Sequence, residues 1–221
     1  MKLSNNTLAI LKNFSEINSN LTINPGNELK TIHVPPTIFA TAQVEERFDK
    51  VFGIYDLKNF LATLAMFKNP DLTFNDNYVD IIDDDDPTIR TKYWNMDVNV
   101  LTKIPQFKQF PDPVTSFIIT NLNFKRIQRA CNTLKCPDVV LEGKDGKIQA
   151  IVCDLANNTQ NKNSFTAVLH DDYNGPEFNV HLKQEKLTII DGDYKCDLIM
   201  DKLIRLTHTE RSIEYIVTLD I

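Results

Sequence analysis

The chain has 221 residues, 42% of them hydrophobic and 24% charged, with a formal net charge of −6. That length suits one large core or two ordinary ones, and the composition is that of a globular protein rather than a disordered or fibrous one. MKLSNNTLAILKNF at the N-terminus lacks a continuous apolar run, and no later run approaches a bilayer span, so a soluble, unexported chain is expected.

Chemistry-bearing residues are sparse. The four cysteines do not form a disulfide framework: Cys131 falls on an apolar helix stripe, Cys153 and Cys196 fall in strand-like runs, and Cys136 precedes a proline. Reduced thiols are the expectation. His33, His170, His181 and His208 are scattered, and none stands in a ligand motif, so neither a metal nor a cofactor is expected. Asp83–Asp86 before Pro87 lacks the glycine and closing glutamate of a calcium loop and reads as a solvated turn. With 6 glycines there is no phosphate-binding glycine loop, and no Ser-His-Asp or Cys-His arrangement is legible. Enzymatic activity is not expected.

In chain order, a helix is predicted over Ser4–Asn18, with Leu3, Thr7, Ile10, Phe14 and Ile17 on one face and Lys12 opposite. Strands follow at Leu21–Asn24, Glu28–His33, Thr37–Val44 and Phe48–Tyr55, separated by Pro25-Gly26 and Pro35-Pro36. A second helix is predicted over Asp56–Phe67, N-capped by Asp56, burying Leu57, Phe60, Leu61 and Leu64 and exposing Lys58. Strands at Leu72–Asn75, Tyr78–Ile82 and Thr88–Trp94 complete this half. Between Asn95 and Val114 three X-Pro steps break any ladder, so a connector is expected, carrying Ile104, Phe107 and Phe110.

The second half repeats the plan. A strand at Val114–Thr120 leads to the helix Asn121–Lys135, and strands follow at Val139–Glu142, Lys147–Asp154, Ser164–His170 and Glu177–Leu182. A short helix is predicted at Lys183–Ile190, then strands at Tyr194–Met200, Leu203–Thr209 and Ile213–Leu219. The two leading helices begin roughly half the chain apart, an internal repeat of structural pattern. The expected fold is α+β: two similar domains, residues 1–95 and 114–221, joined by a connector at 96–113, each with single-stripe helices on one face of an antiparallel sheet.

The stretch Asn121–Lys135 is the most distinctive. Ile127, Ala130, Cys131 and Leu134 form its apolar stripe, Lys125, Arg126 and Arg129 point the other way, and Lys135 ends it. No acid occurs between Asp112 and Asp138 although the chain is acidic overall. Such a face is either a solvated helix or a surface that meets a polyanion. If the repeated helices share one surface, it carries Lys12, Lys58, Lys125, Arg126, Arg129 and, on the last predicted helix, Lys183 and Lys186. Glu45, Glu46, Asp49, Asp80 and Asp83–Asp86 collect elsewhere in sequence, and that segregation favours the polyanion.

Met1-Lys2-Leu3-Ser4, Thr7, Leu11-Lys12-Asn13-Phe14, Ile17-Asn18-Ser19, Ile54-Tyr55-Asp56-Leu57 with Phe60-Leu61, and Gly192-Asp193-Tyr194-Lys195 together resemble the DNA polymerase sliding clamps of T-even-type bacteriophages. The resemblance runs in register along the whole chain, with a divergent middle. It implies two sliding-clamp domains per subunit, antiparallel sheets outside and helices inside, in a homotrimeric ring around duplex DNA in the cytoplasm of the infected bacterium. It also implies contact with the replicative DNA polymerase, an ATP-driven clamp loader and late-transcription factors, with no catalysis. Lys135 and the seven basic residues above would face DNA. Ile104, Phe107, Phe110 and Ile221 would surround a pocket for partner peptides. Ile89, Thr91 and Tyr93 on one subunit would meet Phe165, Ala167 and Leu169 on the next. The competing readings are a non-ring protein that binds nucleic acid directly, which would need aromatics for base stacking where only Phe124 is present, and a phage scaffold protein.

Overall fold

Side-chain caps set where the helices begin. Ser4 accepts from the Thr7 amide ahead of α1 (Asn5–Ile17), Asp56 from the Asn59 amide ahead of α2 (Leu57–Leu64), and Thr120 from the Asn123 amide ahead of α3 (Asn121–Leu134). Each oxygen satisfies an amide that has no acceptor inside its own helix. The computed structural model describes residues 1–105, 110–157, 163–199 and 202–220. Its contacts divide the chain into two units, Met1–Phe107 and Lys108–Ile221.

In the first unit α1 and α2 pack on one another. Strand β1 (Leu21–Ile23) pairs with β4 (Phe52–Ile54), β2 (Gly26–Ile32) with β3 (Ile38–Phe48), and β5 (Pro70–Phe74), β6 (Tyr78–Asp83) and β7 (Arg90–Trp94) form an antiparallel meander. Ile10, Leu11 and Phe14 of α1 and Leu57 and Phe60 of α2 are fully buried with Phe52 and Ile54. α2 ends at Leu64, earlier than its apolar pattern suggests, and Pro70 opens β5, the strand position where a missing amide costs no ladder bond. Gly53 is where the chain after β7 lies against β4: its carbonyl accepts from the Met96 amide at 2.9 Å, and a Cβ there would collide with the Met96 carbonyl.

In the second unit β8 (Thr115–Ile119), β13 (Tyr194–Ile199), β14 (Leu203–His208) and β15 (Ile213–Thr218) pair antiparallel in the order β8-β13-β14-β15. A separate sheet has the order β11-β10-β9-β12, from β9 (Asp138–Lys144), β10 (Lys147–Cys153), β11 (Phe165–His170) and β12 (Phe178–Lys183). Helix α3 packs on β10 and β11. Tyr194 is wholly buried, with ring centroids 5.5 Å from Phe124 of α3, 5.0 Å from His208 and 6.1 Å from Tyr215. The antiparallel α+β architecture expected from the sequence is the one observed. Met200, at the end of one predicted strand, lies outside the described residues.

The helix predicted at Lys183–Ile190 is absent. Lys183 ends β12, Gln184–Lys186 form a single 3₁₀ turn, and the segment then runs irregularly to β13. Two tyrosines provide the alternative to helix: the Ile190 amide donates to the Tyr215 hydroxyl at 3.2 Å, and the Tyr194 hydroxyl donates to the Ile190 carbonyl at 2.6 Å. β-branched Thr188, Ile189 and Ile190 give the helix little intrinsic support against this capture.

In the Asp83–Asp86 turn Asp84, Asp85 and Asp86 are exposed, as expected, and Asp83 alone departs from the solvated reading. Asp83 is buried and accepts from the Lys68 amide at 2.8 Å and the Asp85 amide at 3.0 Å, and these bonds, the Lys68 one foremost, hold its carboxyl below the usual range. Asp197, at 1% side-chain exposure, accepts from Ser116 at 2.6 Å and Arg205 at 2.7 Å and pairs with Lys195 at 3.0 Å. Burial pushes its pKa up, but those three partners outweigh burial and hold it down. Carboxyls depressed in the folded state bind fewer protons than in the unfolded chain. Their stabilisation is therefore present above the unfolded value, about 3.9, and is lost as pH falls through the folded value. Urea midpoints should stay flat from about pH 7 to 5 and fall below about pH 4. Asp197→Asn should lower stability at neutral pH by about 2 kcal/mol and make the acid limb shallower.

Candidate nucleic-acid interface

The basic face of α3 arises from its period. Phe124, Ile127, Ala130 and Cys131 are buried, which turns Lys125, Arg126 and Arg129 outward, and all three are exposed. Among the described residues Arg126 and Arg129 form no ion pair. Lys125 does: its Nζ lies 2.7 Å from Asp191 Oδ2, with both side chains more than half exposed. Lys135 closes the helix in the left-handed conformation (φ 57°), unusual for a residue with a Cβ. Its cation sits at the helix's negative end, where it also stabilises the helix dipole.

In the first unit Lys12 and Lys58 are exposed on α1 and α2. Lys58 Nζ lies 3.0 Å from Glu16 Oε2. Glu46 accepts from the Ser4 amide and the Thr7 hydroxyl at the start of α1, and a carboxylate there opposes the positive end of that helix.

Lys183 and Lys186 are corrections. Without the predicted helix they have no basic face to join. Lys186 is buried, donating to Asp220 at 2.7 Å and to the Thr218 carbonyl at 3.1 Å. Lys183 Nζ is held 2.5 Å from the buried carboxylate of Asp138. Both fasten the turn after β12 to the second unit instead of presenting charge. Lys186→Ala strands Asp220 in a half-buried site and should lower stability by about 1–2 kcal/mol, with the salt dependence of any DNA binding unchanged. Parallel melting and salt-titration measurements separate the two effects.

Phe124, the aromatic that base stacking on this helix would need, is 5% exposed and packed edge-on against Tyr194. A single-strand stacking platform on α3 is therefore closed off. Among the described residues no group of three or more His, Cys, Asp and Glu is placed to hold a metal, and no helix is long and apolar enough to cross a membrane.

Comparison with known proteins follows the same line. No family model matches the chain. Curated relatives do: the sliding clamp of Escherichia phage RB69 is 30% identical over 203 residues, covering 88% of this chain and 86% of its own. The sliding clamp of Vibrio phage KVP40 is 27% identical over 201 residues, with 90% of each chain covered, and that of Enterobacteria phage T4 is 28% identical over 208 residues. The chain belongs to the sliding clamps. Solved structures agree on the fold at low identity. PCNA from Thermococcus kodakaraensis superposes with a TM-score of 0.69 at 11% identity, covering 97% of this chain and 96% of that one. The Helicobacter pylori beta clamp gives 0.72 at 10% identity, covering 100% of this chain and 65% of its own. A sliding clamp is a processivity factor and not an enzyme, and the direct-binding and scaffold alternatives fall away with the family.

The remaining sites expected of the clamp are placed as follows. β7 pairs only with β6 and β11 only with β10 among the described residues, so each presents one open edge. Thr91 and Tyr93 are half-buried and Ile89 is exposed; Tyr93 also donates to the Asp56 carbonyl at 3.1 Å and packs 5.0 Å from Phe60. Phe165, Ala167 and Leu169 are half-buried, alternating with exposed Thr166, Val168 and His170. A groove of about 590 Å³ separates β11 from α3, bounded by Arg126, Arg129 and Leu134 on one side and Phe165 and Val168 on the other. Ile104 and Phe110 are half-buried, whereas Phe107 and Ile221 lie outside the described residues.

Sequence reasoning missed Glu16 and Asp191 as partners of the basic face. Glu16 stands one helical turn after Lys12 and was visible. Asp191 is 66 positions beyond Lys125, and only the fold brings them together.

Proposed function

We propose that this sliding clamp closes as a ring of three copies around duplex DNA and holds the replicative DNA polymerase on its template. The observation that carries the reading is the exposed face of α3, with Arg126 and Arg129 in no ion pair among the described residues, on a chain of net charge −6 that belongs to the clamp family. Guanidinium groups without internal partners attract phosphates whatever the base sequence, and the acidic remainder discourages binding elsewhere. Lys12, Lys58, Lys125 and Lys135 add to the lining. Residues 1–95 and 114–221 each act as one clamp domain, joined by the connector at 96–113.

Ring closure needs a heterologous contact repeated head to tail. The open edges of β7 and β11 supply it, with Ile89, Thr91 and Tyr93 of one copy against Phe165, Ala167 and Leu169 of the next, so that these two edges are not left free to aggregate. Short apolar peptides of partners dock on the clamp, with Ile104 in the first unit as one contact. An ATP-driven clamp loader opens the ring, late-transcription factors use it as a second client, and it works in the cytoplasm of the infected bacterium.

The test is retention by topology. With its loader and ATP, the protein should stay on nicked circular DNA through a salt wash and leave once that DNA is cut to a linear form. Equal retention on both forms overturns the ring.

A further inference from the structure

On the exposed helix faces, one lysine in each unit carries an internal partner. Lys58 on α2 is paired with Glu16 on α1, and Lys125 on α3 is paired with Asp191 in the segment before β13. In each pair both groups remain more than half exposed, at 60% and 54% for Lys58 and Glu16 and 54% and 69% for Lys125 and Asp191. Exposed pairs of this kind contribute little to folding, so stability gives no strong reason for them. The neighbours Lys12, Arg126 and Arg129 have no such partner among the described residues. Asp193, two residues after Asp191, is engaged differently, accepting from the Asn121 amide at the start of α3 at 2.7 Å.

We propose that Glu16 and Asp191 are built-in counter-ions that set the strength of the DNA-facing surface, each competing with phosphate for one lysine. The inference rests on the reading of that surface as DNA-facing. A lysine ammonium is a compact charge on a flexible stem and can swing between two acceptors, which a guanidinium fixed in a bidentate geometry does less readily. A lysine held by its own carboxylate spends less time on a phosphate, so on average it neutralises fewer phosphates and displaces fewer of the counterions condensed on the DNA. It therefore adds little to the salt dependence of binding. The arginines attract the duplex, while the paired lysines form contacts weak enough to exchange as the ring moves.

The test measures binding of the full-length protein to a short linear duplex by fluorescence anisotropy across a salt series. Asp191→Asn and Glu16→Gln should each tighten binding roughly two- to threefold at low salt and steepen the slope of log affinity against log salt by about 0.9 per lysine released. Asp49→Asn, an exposed acid outside both pairs, makes the same change in net charge and should leave the slope alone. In a Lys125→Gln background, Asp191→Asn should lose its effect, and Lys58→Gln should do the same for Glu16→Gln. Slopes unchanged by the acid substitutions, matched by Asp49→Asn, or raised even without the lysine overturn the proposal. Retention of the wild-type protein on circular but not linear DNA is followed in parallel. If that topological difference holds while the slopes stay flat, the counter-ion role fails and the ring stands; if it vanishes, the ring itself fails.

Discussion

Arg126→Glu combined with Arg129→Glu is expected to cut polymerase stimulation by roughly tenfold or more at physiological salt, since two phosphate contacts per subunit become repulsions. Folding should be spared. Both side chains oppose the stripe of Ile127, Ala130 and Cys131, and neither forms an internal ion pair among the described residues, so melting should move by no more than about 2 °C. These arginines are a cleaner target than Lys125, whose reversal would also set an acid face to face with Asp191. The measurement is primer extension with loader and ATP on long templates, alongside a thermal melt. Unchanged stimulation with the protein folded would mean that α3 does not face DNA. The same arginines line the groove beside β11, so solution mass should be recorded too: loss of stimulation together with loss of the trimer would assign them to subunit contact instead.

The second large effect concerns stability. Tyr194→Ala should destabilise the protein by about 4 kcal/mol, near the upper range for emptying a buried aromatic site, because its ring touches Phe124, His208 and Tyr215 on three different elements. Much of a typical domain's stability would go with it. Tyr194→Phe should cost only about 1 kcal/mol, for the hydrogen bond to the Ile190 carbonyl. Urea denaturation at one fixed protein concentration compares them without mixing in assembly. Burial pushes the Tyr194 hydroxyl far above its ordinary pKa, so this bond persists across the alkaline range in which free tyrosines ionise. The surrounding Gly192-Asp193-Tyr194-Lys195 run, one of those carrying the family resemblance, thus has a physical function. Gly192 (φ 155°) passes where a Cβ would strike the His208 ring, Asp193 fixes the start of α3, and Tyr194 fills the core beneath it.

Where local signals agreed with one another, the sequence was a sufficient guide. The caps at Ser4, Asp56 and Thr120 coincide with the start of an apolar stripe, so cap and period specify the same helix. Lys183–Ile190 shows the opposite case. Its polar start suits a helix and its β-branched end suits a strand, and the decision passed to tyrosine hydroxyls 4 and 25 residues further along the chain. The candidate site divides the same way. That Arg126 and Arg129 face outward follows from helical period; that Lys186 is buried does not, because its partners Thr218 and Asp220 are more than thirty positions away.

The sequence by itself determined the three helices and their apolar faces, the antiparallel α+β class, and through its family-specific runs the kinship with phage sliding clamps. Tertiary structure alone decided which of the basic residues are free. Periodicity says which way a side chain points, but neutralisation depends on what arrives opposite it. Asp191 reaches Lys125, Asp220 takes Lys186 and Asp138 takes Lys183 only after distant strands have packed.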